Sequence, residues 1–170
     1  MICPACGYLN LPGVDWCQWC QFDLMAVDLP APTDRVDRSL MLDPVAVLRP
    51  HPPVCIAEDR SLREATELMI AEKVGAVLVI DTEGRLVGIL TERDFLTKIA
   101  GAGEDYGRWP LREFMTREPE TVRADDPIAL ALGKMASGGY RHLPVVENGK
   151  PIGSISVRGI LSHIVAICQD

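Results

Sequence analysis

The first 24 residues contain no lysine and no arginine, yet they hold four of the chain's six cysteines. Without a basic residue this head lacks the charge from which nucleic-acid binding draws most of its affinity. Its only charged side chains are Asp15 and Asp23. The whole chain leans the same way: a net charge of −7 argues against a nucleic-acid surface as its main business. No apolar run approaches the roughly 20 residues needed to cross a bilayer. Met1-Ile2-Cys3 offers neither the basic start nor the apolar stretch of a secretory signal, so the expected location is the cytoplasm, where thiols stay reduced. What remains is an ordinary folded composition, 48% hydrophobic and 24% charged, in 170 residues. That length suits one domain plus a small accessory one.

The cysteines of the head fall as Cys3-x-x-Cys6 and Cys17-x-x-Cys20, with ten residues between the pairs. A pair separated by two residues grips one metal ion from one tight turn, and two such turns complete the tetrahedral shell that zinc prefers. Gly7 suits a turn whose N–H groups point at sulfur, and Pro12-Gly13 is a turn signal that lets a short hairpin bring the pairs together. Four ligands leave no open position, so the expected site is structural rather than catalytic. A head this small needs the metal to fold. Iron would bind the same thiolates and make an electron carrier, and two disulfides would serve in a secreted protein. Tyr8, Trp16, Trp19 and Phe22 form either a sticky surface or a minimal core. Residues 1–24 resemble a rubredoxin-type zinc ribbon, with Gln21 standing where that family usually has its second glycine.

Residues 25–40, with Pro30 and Pro32, read as a linker ending in a helical or extended lead-in. Beyond it the chain repeats itself at an offset of 66 residues, shrinking to 65 where Asp81-Thr82-Glu83-Gly84 is one longer than Glu147-Asn148-Gly149. Ala65 matches Ala131, Met69 matches Met135, Gly88 matches Gly153 and Arg93 matches Arg158. In the first copy a strand over Val54–Ile56 leads to a helix starting at Ser61, where Ser61-x-x-Glu64 is a capping box. A buried strand follows over Ala76–Ile80, then an acidic glycine turn and a strand over Arg85–Leu90, and a last helix runs from Thr91 to about Ala100. The predicted fold class is α+β: two β-α-β-β-α units packed through their sheets, behind a small metal-bound head.

The segments LVGILTERDFL, RHLPVVENGKPIGSISVRGIL and FMTREPETV resemble the signature stretches of a CBS domain pair, named after cystathionine β-synthase. The resemblance covers residues 41–170, dividing as 41–104 and 105–170. It implies an adenosine-type ligand (AMP, ADP, ATP or S-adenosylmethionine) in clefts between the units, a homodimer, and regulation rather than catalysis.

Within Gly88-Ile-Leu-Thr-Glu-Arg-Asp94, the strand ends at a helix start whose free N–H groups suit phosphate. The resemblance gives Thr91 to phosphate and Asp94 to a ribose diol; Thr-x-x-Asp is equally a capping pattern needing no ligand. The second copy has Ser156 and Gly159 there and so lacks the ribose carboxylate. By family analogy the Asp94 pocket takes in Thr121, Val122 and the backbone near Tyr140 and Arg141. The opposite pocket takes Cys55, Ile56, Val74, Arg141, His142 and Ser156. Arg141 and His142 look like the family's phosphate pair, which this mapping parts from Asp94; Arg93 and Arg158 are candidates to supply the missing charge. His142 has no nucleophile or carboxylate partner in a recognisable motif, which speaks against catalysis. Cys55 and Cys168 read as small buried hydrophobes, and His51 as exposed. The ribbon is a candidate surface for a protein partner, and a ligand-free dimeric scaffold is the alternative role.

Overall fold

The computed structural model describes residues 2–3, 5–11, 14–24, 34–99 and 106–169. The Pro12-Gly13 turn, the prolines of the linker and Ala100 lie outside them. Helix α1 (Arg35–Leu42) starts at Asp34, whose carboxylate accepts the Asp37 N–H at 2.8 Å. A 3₁₀ turn, Val45–Leu48, follows. The first repeat then runs β1 (Cys55–Ala57), α2 (Leu62–Glu72), β2 (Ala76–Ile80) and β3 (Leu86–Thr91). Helix α3 (Glu92–Asp94) continues as a π-helical segment over Phe95–Ile99. The expected capping box is present: Glu64 N–H donates to Ser61 Oγ, and Ser61 N–H donates to the Glu64 carboxylate at 2.8 Å. After β4 (Thr116–Arg117), the second repeat supplies α4 (Ile128–Gly138), β5 (His142–Glu147), β6 (Lys150–Ser156) and α5 (Val157–Gln169).

The strands pair in the order β1-β2-β3-β4, with β1 parallel to β2 and the rest antiparallel. β5 and β6 form their own antiparallel ribbon, and the counterpart of β1 is reduced to a single parallel bridge, Val122 to Val145. Alternation along β2 and β3 sends Val77, Val79 and Leu90 to the α2 side, while Leu78 and Ile89 point the other way and are buried too. Both faces of this sheet are therefore covered.

The packing exchanges segments between the repeats. Leu111 and Met115, just before the second repeat, are buried in the core of the first with Ile56, Leu62, Met69 and Val77. Conversely Val45, which precedes the first repeat, is buried in the second core, with Leu40 and Leu48 packed against it. Backbone bonds follow: Val45 N–H donates to Asp126 O at 2.8 Å, and His51 pairs with Ser154 of β6 in both directions. Ser39 Oγ donates to Asp43 at 2.5 Å and lies 2.8 Å from His163 Nε2, which ties α1 to α5. Each buried Leu or Met in such a segment contributes about 1.5–3 kcal/mol, so neither repeat is complete without the stretch preceding the other. The matching glycines record this crossing. A Cβ at Gly88 would collide with Met115, and one at Gly153 would come within 2.8 Å of Pro50 Cβ and 3.1 Å of His51 O.

No helix among the described residues is long and apolar enough to cross a membrane.

Candidate functional site

In the head, each cysteine pair is built as the same small turn. Gly7 N–H donates to Cys3 O and Gln21 N–H to Cys17 O, both at 2.9 Å. Gly7 has φ +72° and Gln21 φ +60°, so Gln21 adopts the left-handed backbone usually left to glycine and the second turn stays regular. The four sulfurs lie within 4.8 Å of one another, with Cys3–Cys20 and Cys6–Cys17 separations of 3.6 Å. A zinc tetrahedron with bonds of about 2.3 Å has edges of about 3.8 Å, so the donor set and its spacing fit such an ion. All four cysteines are free thiols. At Cys6 the Tyr8 N–H pulls the thiol down, but desolvation and the neighbouring sulfurs prevail and push it up to about 12. At Cys17 desolvation is outweighed by the N–H groups of Cys20 and Trp19 and the Asn10 amide, which bring it down to about 6. Sulfurs this close resist joint ionisation unless a cation sits among them.

Sequence reasoning missed Asn10. It is buried, donates to Tyr8 O at 3.0 Å and Cys17 Sγ at 3.5 Å, and accepts the Gln18 N–H at 2.9 Å, clamping one cysteine turn to the other. The aromatics divide: Phe22 packs on Cys3, Cys17 and Leu24, whereas Trp16 and Trp19 are exposed and Tyr8 stacks on Trp19.

The second site is a cavity of ≈ 240 Å³ between the repeats. Thr91, Glu92, Arg93 and Asp94 of the first repeat wall one side; Tyr140, Arg141 and His142 of the second wall another, with the stretch from Thr116 to Glu120 closing it. The mapping that parted Arg141 and His142 from Asp94 is thus corrected: one cavity holds them all. The reason is the close approach at Gly75, where a Cβ would meet the His142 ring at 3.2 Å and the Glu92 carboxyl carbon at 3.4 Å. A side chain there would push β5 away from α3.

Asp94 is 7% exposed and already engaged. Its Oδ2 accepts the Thr91 N–H at 2.8 Å and the Thr91 hydroxyl at 2.7 Å, while Lys98 Nζ holds Oδ1 at 2.7 Å. The capping reading of Thr-x-x-Asp is therefore realised, and the cavity beside it is still open. The expectation of free N–H groups fails at the first positions, since Glu92 N–H donates to Gly75 O at 3.0 Å and Thr91 N–H is spent on Asp94. Arg93 reaches across the repeats to Gly139 O at 3.1 Å. Burial, the dominant influence, pushes the His142 imidazole below its usual range; Glu92 opposes this, and Arg141 and Arg158 add to it.

Other expected site residues lie elsewhere. Val122 is 1% exposed in the second core, with its N–H on Pro144 O and its carbonyl on Val146 N–H, so it offers a ligand no free polar group. Thr121, whose carbonyl accepts Lys134 Nζ, lines with Val122 a separate cavity of ≈ 510 Å³ that includes Leu130 and Lys134. Ile56 is buried in the first core and Val74 packs against that core. Cys55, its thiol pushed up by burial, is half-buried in β1. Ser156 Oγ accepts the Gly159 N–H at 3.2 Å, a half-cap on α5. Cys168 is exposed, against the expectation of a buried thiol; His51 is exposed as expected.

A CBS domain family profile matches residues 39–101 and 111–166, more than half of the chain. A CBS domain-containing protein of Arabidopsis thaliana is 37% identical over 111 residues, 65% of this chain, which spans only 20% of that protein's length. A CBS domain protein of Pyrobaculum aerophilum, solved with AMP, superposes with a TM-score of 0.63 at 28% identity, covering 72% of this chain and 98% of that one. A CBS domain pair solved with 5′-methylthioadenosine and S-adenosyl-L-methionine superposes with a TM-score of 0.64 at 25% identity, covering 71% and 98%. Its duplicated unit, its sheet order and these matches agree: the chain belongs to the CBS domain family.

Proposed function

We propose that this protein is a regulatory, non-catalytic sensor that binds an adenosine-containing metabolite in the cavity shared by its repeats. The observation that carries this reading is the meeting of Thr91 and Asp94 from one copy with Arg141 and His142 from the other around a single open space. Solved relatives hold AMP, or 5′-methylthioadenosine and S-adenosyl-L-methionine, which supports the adenosine class. Asp94 accepts the ribose hydroxyls through the carboxylate lone pairs that Thr91 and Lys98 leave unused. Signalling requires that the ligand prefer one arrangement of the repeats over another. Residues 34–50 carry that change toward the head, because they pack on the second repeat, which supplies Arg141. Cys3, Cys6, Cys17 and Cys20 hold zinc as a structural ion that folds the head as a docking module; its four ligands leave no open position. We further propose a cytoplasmic homodimer.

Titration calorimetry with adenosine, AMP, ADP, ATP and S-adenosylmethionine tests the sensor. Asp94→Ala is expected to lose binding by at least about tenfold, a loss of one charged hydrogen-bonding partner. Because the substitution also uncaps α3, Asp94→Asn and a thermal melt separate lost contact from lost fold. Wild-type affinity in the Asp94→Ala protein sinks the assignment. For the head, native and denaturing mass spectrometry should show one zinc per chain. A red protein would mean iron, and a mass short of the thiol hydrogens would mean disulfides.

One observation favours a second reading, a ligand-free scaffold: Asp94 is already satisfied by its own helix. A stable dimer that binds none of these compounds would establish it.

A further inference from the structure

Resting on the reading of the head as a docking module, we infer that its partner is a basic segment of another protein, held by an arginine or lysine laid on the aromatic pair Tyr8 and Trp19. Trp19 is 75% exposed, and Tyr8 stacks on it with ring centroids 6.1 Å apart and planes 16° from parallel. These rings do not build the head's core, which is Cys3, Cys17 and Leu24 with Val14 and Phe22 packed on it. Nor do they line the crevice in which Ala5, Cys6 and Gly7 face the second repeat. Apolar side chains accompany them: Ile2 and Leu9 pair across an antiparallel bridge, and both are exposed. So much uncovered aromatic and aliphatic surface on a head this small is the mark of a contact face.

Charge selects the partner. Residues 1–24 contain no lysine or arginine, Asp15 is exposed, and a second bridge sets the exposed Trp16 beside Asp23. Four thiolates outnumber the charge of one divalent ion, so the metal-bound head is more acidic still, and the exposed Cys20 adjoins Trp19. Aromatic faces attract cations, and this acidic surrounding adds to the pull. An acidic segment would be repelled. A nucleic-acid strand can stack its bases on such rings, but the head has no cation for its phosphates.

The rings are also held ready. Tyr8 follows the first cysteine turn and Trp19 lies within the second, so the stack needs both turns together. Asn10 holds them, donating to Tyr8 O and Cys17 Sγ and accepting the Gln18 N–H. A platform fixed in advance loses little freedom on binding. Partner binding is therefore tied to metal: a head without its ion has no platform.

The test is selection of random phage-displayed peptides on the full chain purified with zinc, run in parallel on Trp19→Ala. Because Trp19 is largely exposed, that variant should carry zinc like the wild type by native mass spectrometry. Peptides enriched on the wild type should combine arginine or lysine with apolar residues. In calorimetry the best of them, made synthetically, should bind Trp19→Ala about tenfold or more weakly, while Trp19→Phe keeps most of the affinity. Glutamine in place of its basic residues should cost about fivefold or more, and a chelator should abolish binding. Enrichment of acidic or uncharged peptides overturns the inference and leaves the docking reading standing. So do basic peptides that bind wild type and Trp19→Ala alike. No enriched peptide at all, or a single-stranded RNA of mixed sequence that binds the wild type and not Trp19→Ala, overturns both.

Discussion

The first repeat carries Asp94 where the second carries Gly159, and the second carries Arg141 and His142 where the first carries Gly75 and Ala76. Each copy has kept what the other gave up. Gly75 is small because the His142 ring occupies its space, and Asp94 shares a cavity with Arg141 and His142 of the other repeat. Two copies of one unit thus contribute different side chains to the cavity they share. The helix starts differ accordingly: Thr91 and Asp94 close a full cap on α3, whereas Ser156 gives α5 only the bond to Gly159 N–H.

The sharpest way to probe the comparison is at the two glycines that both copies kept. Gly153→Ala is expected to destabilise the fold by about 1–3 kcal/mol, the usual cost of overpacking. Its new methyl would meet a proline ring carbon at 2.8 Å and the His51 carbonyl at 3.1 Å, neither of which can swing aside. Gly88→Ala should cost less, since the first atom met is the flexible end of Met115, although Thr116 O lies 3.2 Å away. Denaturant melts of the two variants measure the order. Equal costs, or a larger cost at Gly88, would show that the two crossings are not packed as described.

These contrasts separate what the sequence reveals from what it does not. The repeat, the α2 capping box and the four-sulfur head are legible because each is local: a period, a four-residue pattern, a pair spacing. The matched glycines are visible in the sequence, but their cause is not, because Met115 and Pro50 each precede the repeat opposite to the one they cover. The same exchange hides the second-core role of Leu40, Val45 and Leu48. Arg141 and His142 were separated from Asp94 by analogy, and only the approach of β5 to α3 at Gly75 reunites them. Val122 reads as a pocket residue by its position after Thr121, yet its side chain and both backbone groups are consumed by the second core. Gln21 shows the converse, a residue that departs from the expected glycine while its backbone does not.

A smaller effect comes from restoring the lost carboxylate. Gly159→Asp places an acceptor three residues after Ser156, and the nearest atom to a Cβ there is Ser156 Oγ at 3.7 Å, so the side chain has room. It should raise stability by about 1 kcal/mol, through a completed cap and the removal of a helical glycine. On the proposed adenosine reading it should not create a second site, because the first repeat offers Gly75 and Ala76 where the second has Arg141 and His142. Calorimetry that finds two sites per chain in this variant would break the asymmetry argued above.

The smallest expected effect is a pH dependence centred on His142. Its folded pKa is depressed by burial, so below the ordinary histidine value of 6.5 the unfolded chain binds more protons than the folded one. Stability from this group is therefore fully present above pH 6.5 and declines as pH falls below it. Three charged groups set the extent: Glu92 on α3 supports the imidazolium, while Arg141 at the start of β5 and Arg158 on α5 oppose it. His142→Gln should flatten the acid limb of the stability profile. Glu92→Gln should extend it to lower pH, since the one group favouring protonation is gone. Denaturant melts at stepped pH read both variants against the wild type. Parallel profiles for wild type and His142→Gln would show that the ring is as free to charge in the folded protein as in the unfolded chain, and that the second repeat does not press it into the cavity wall.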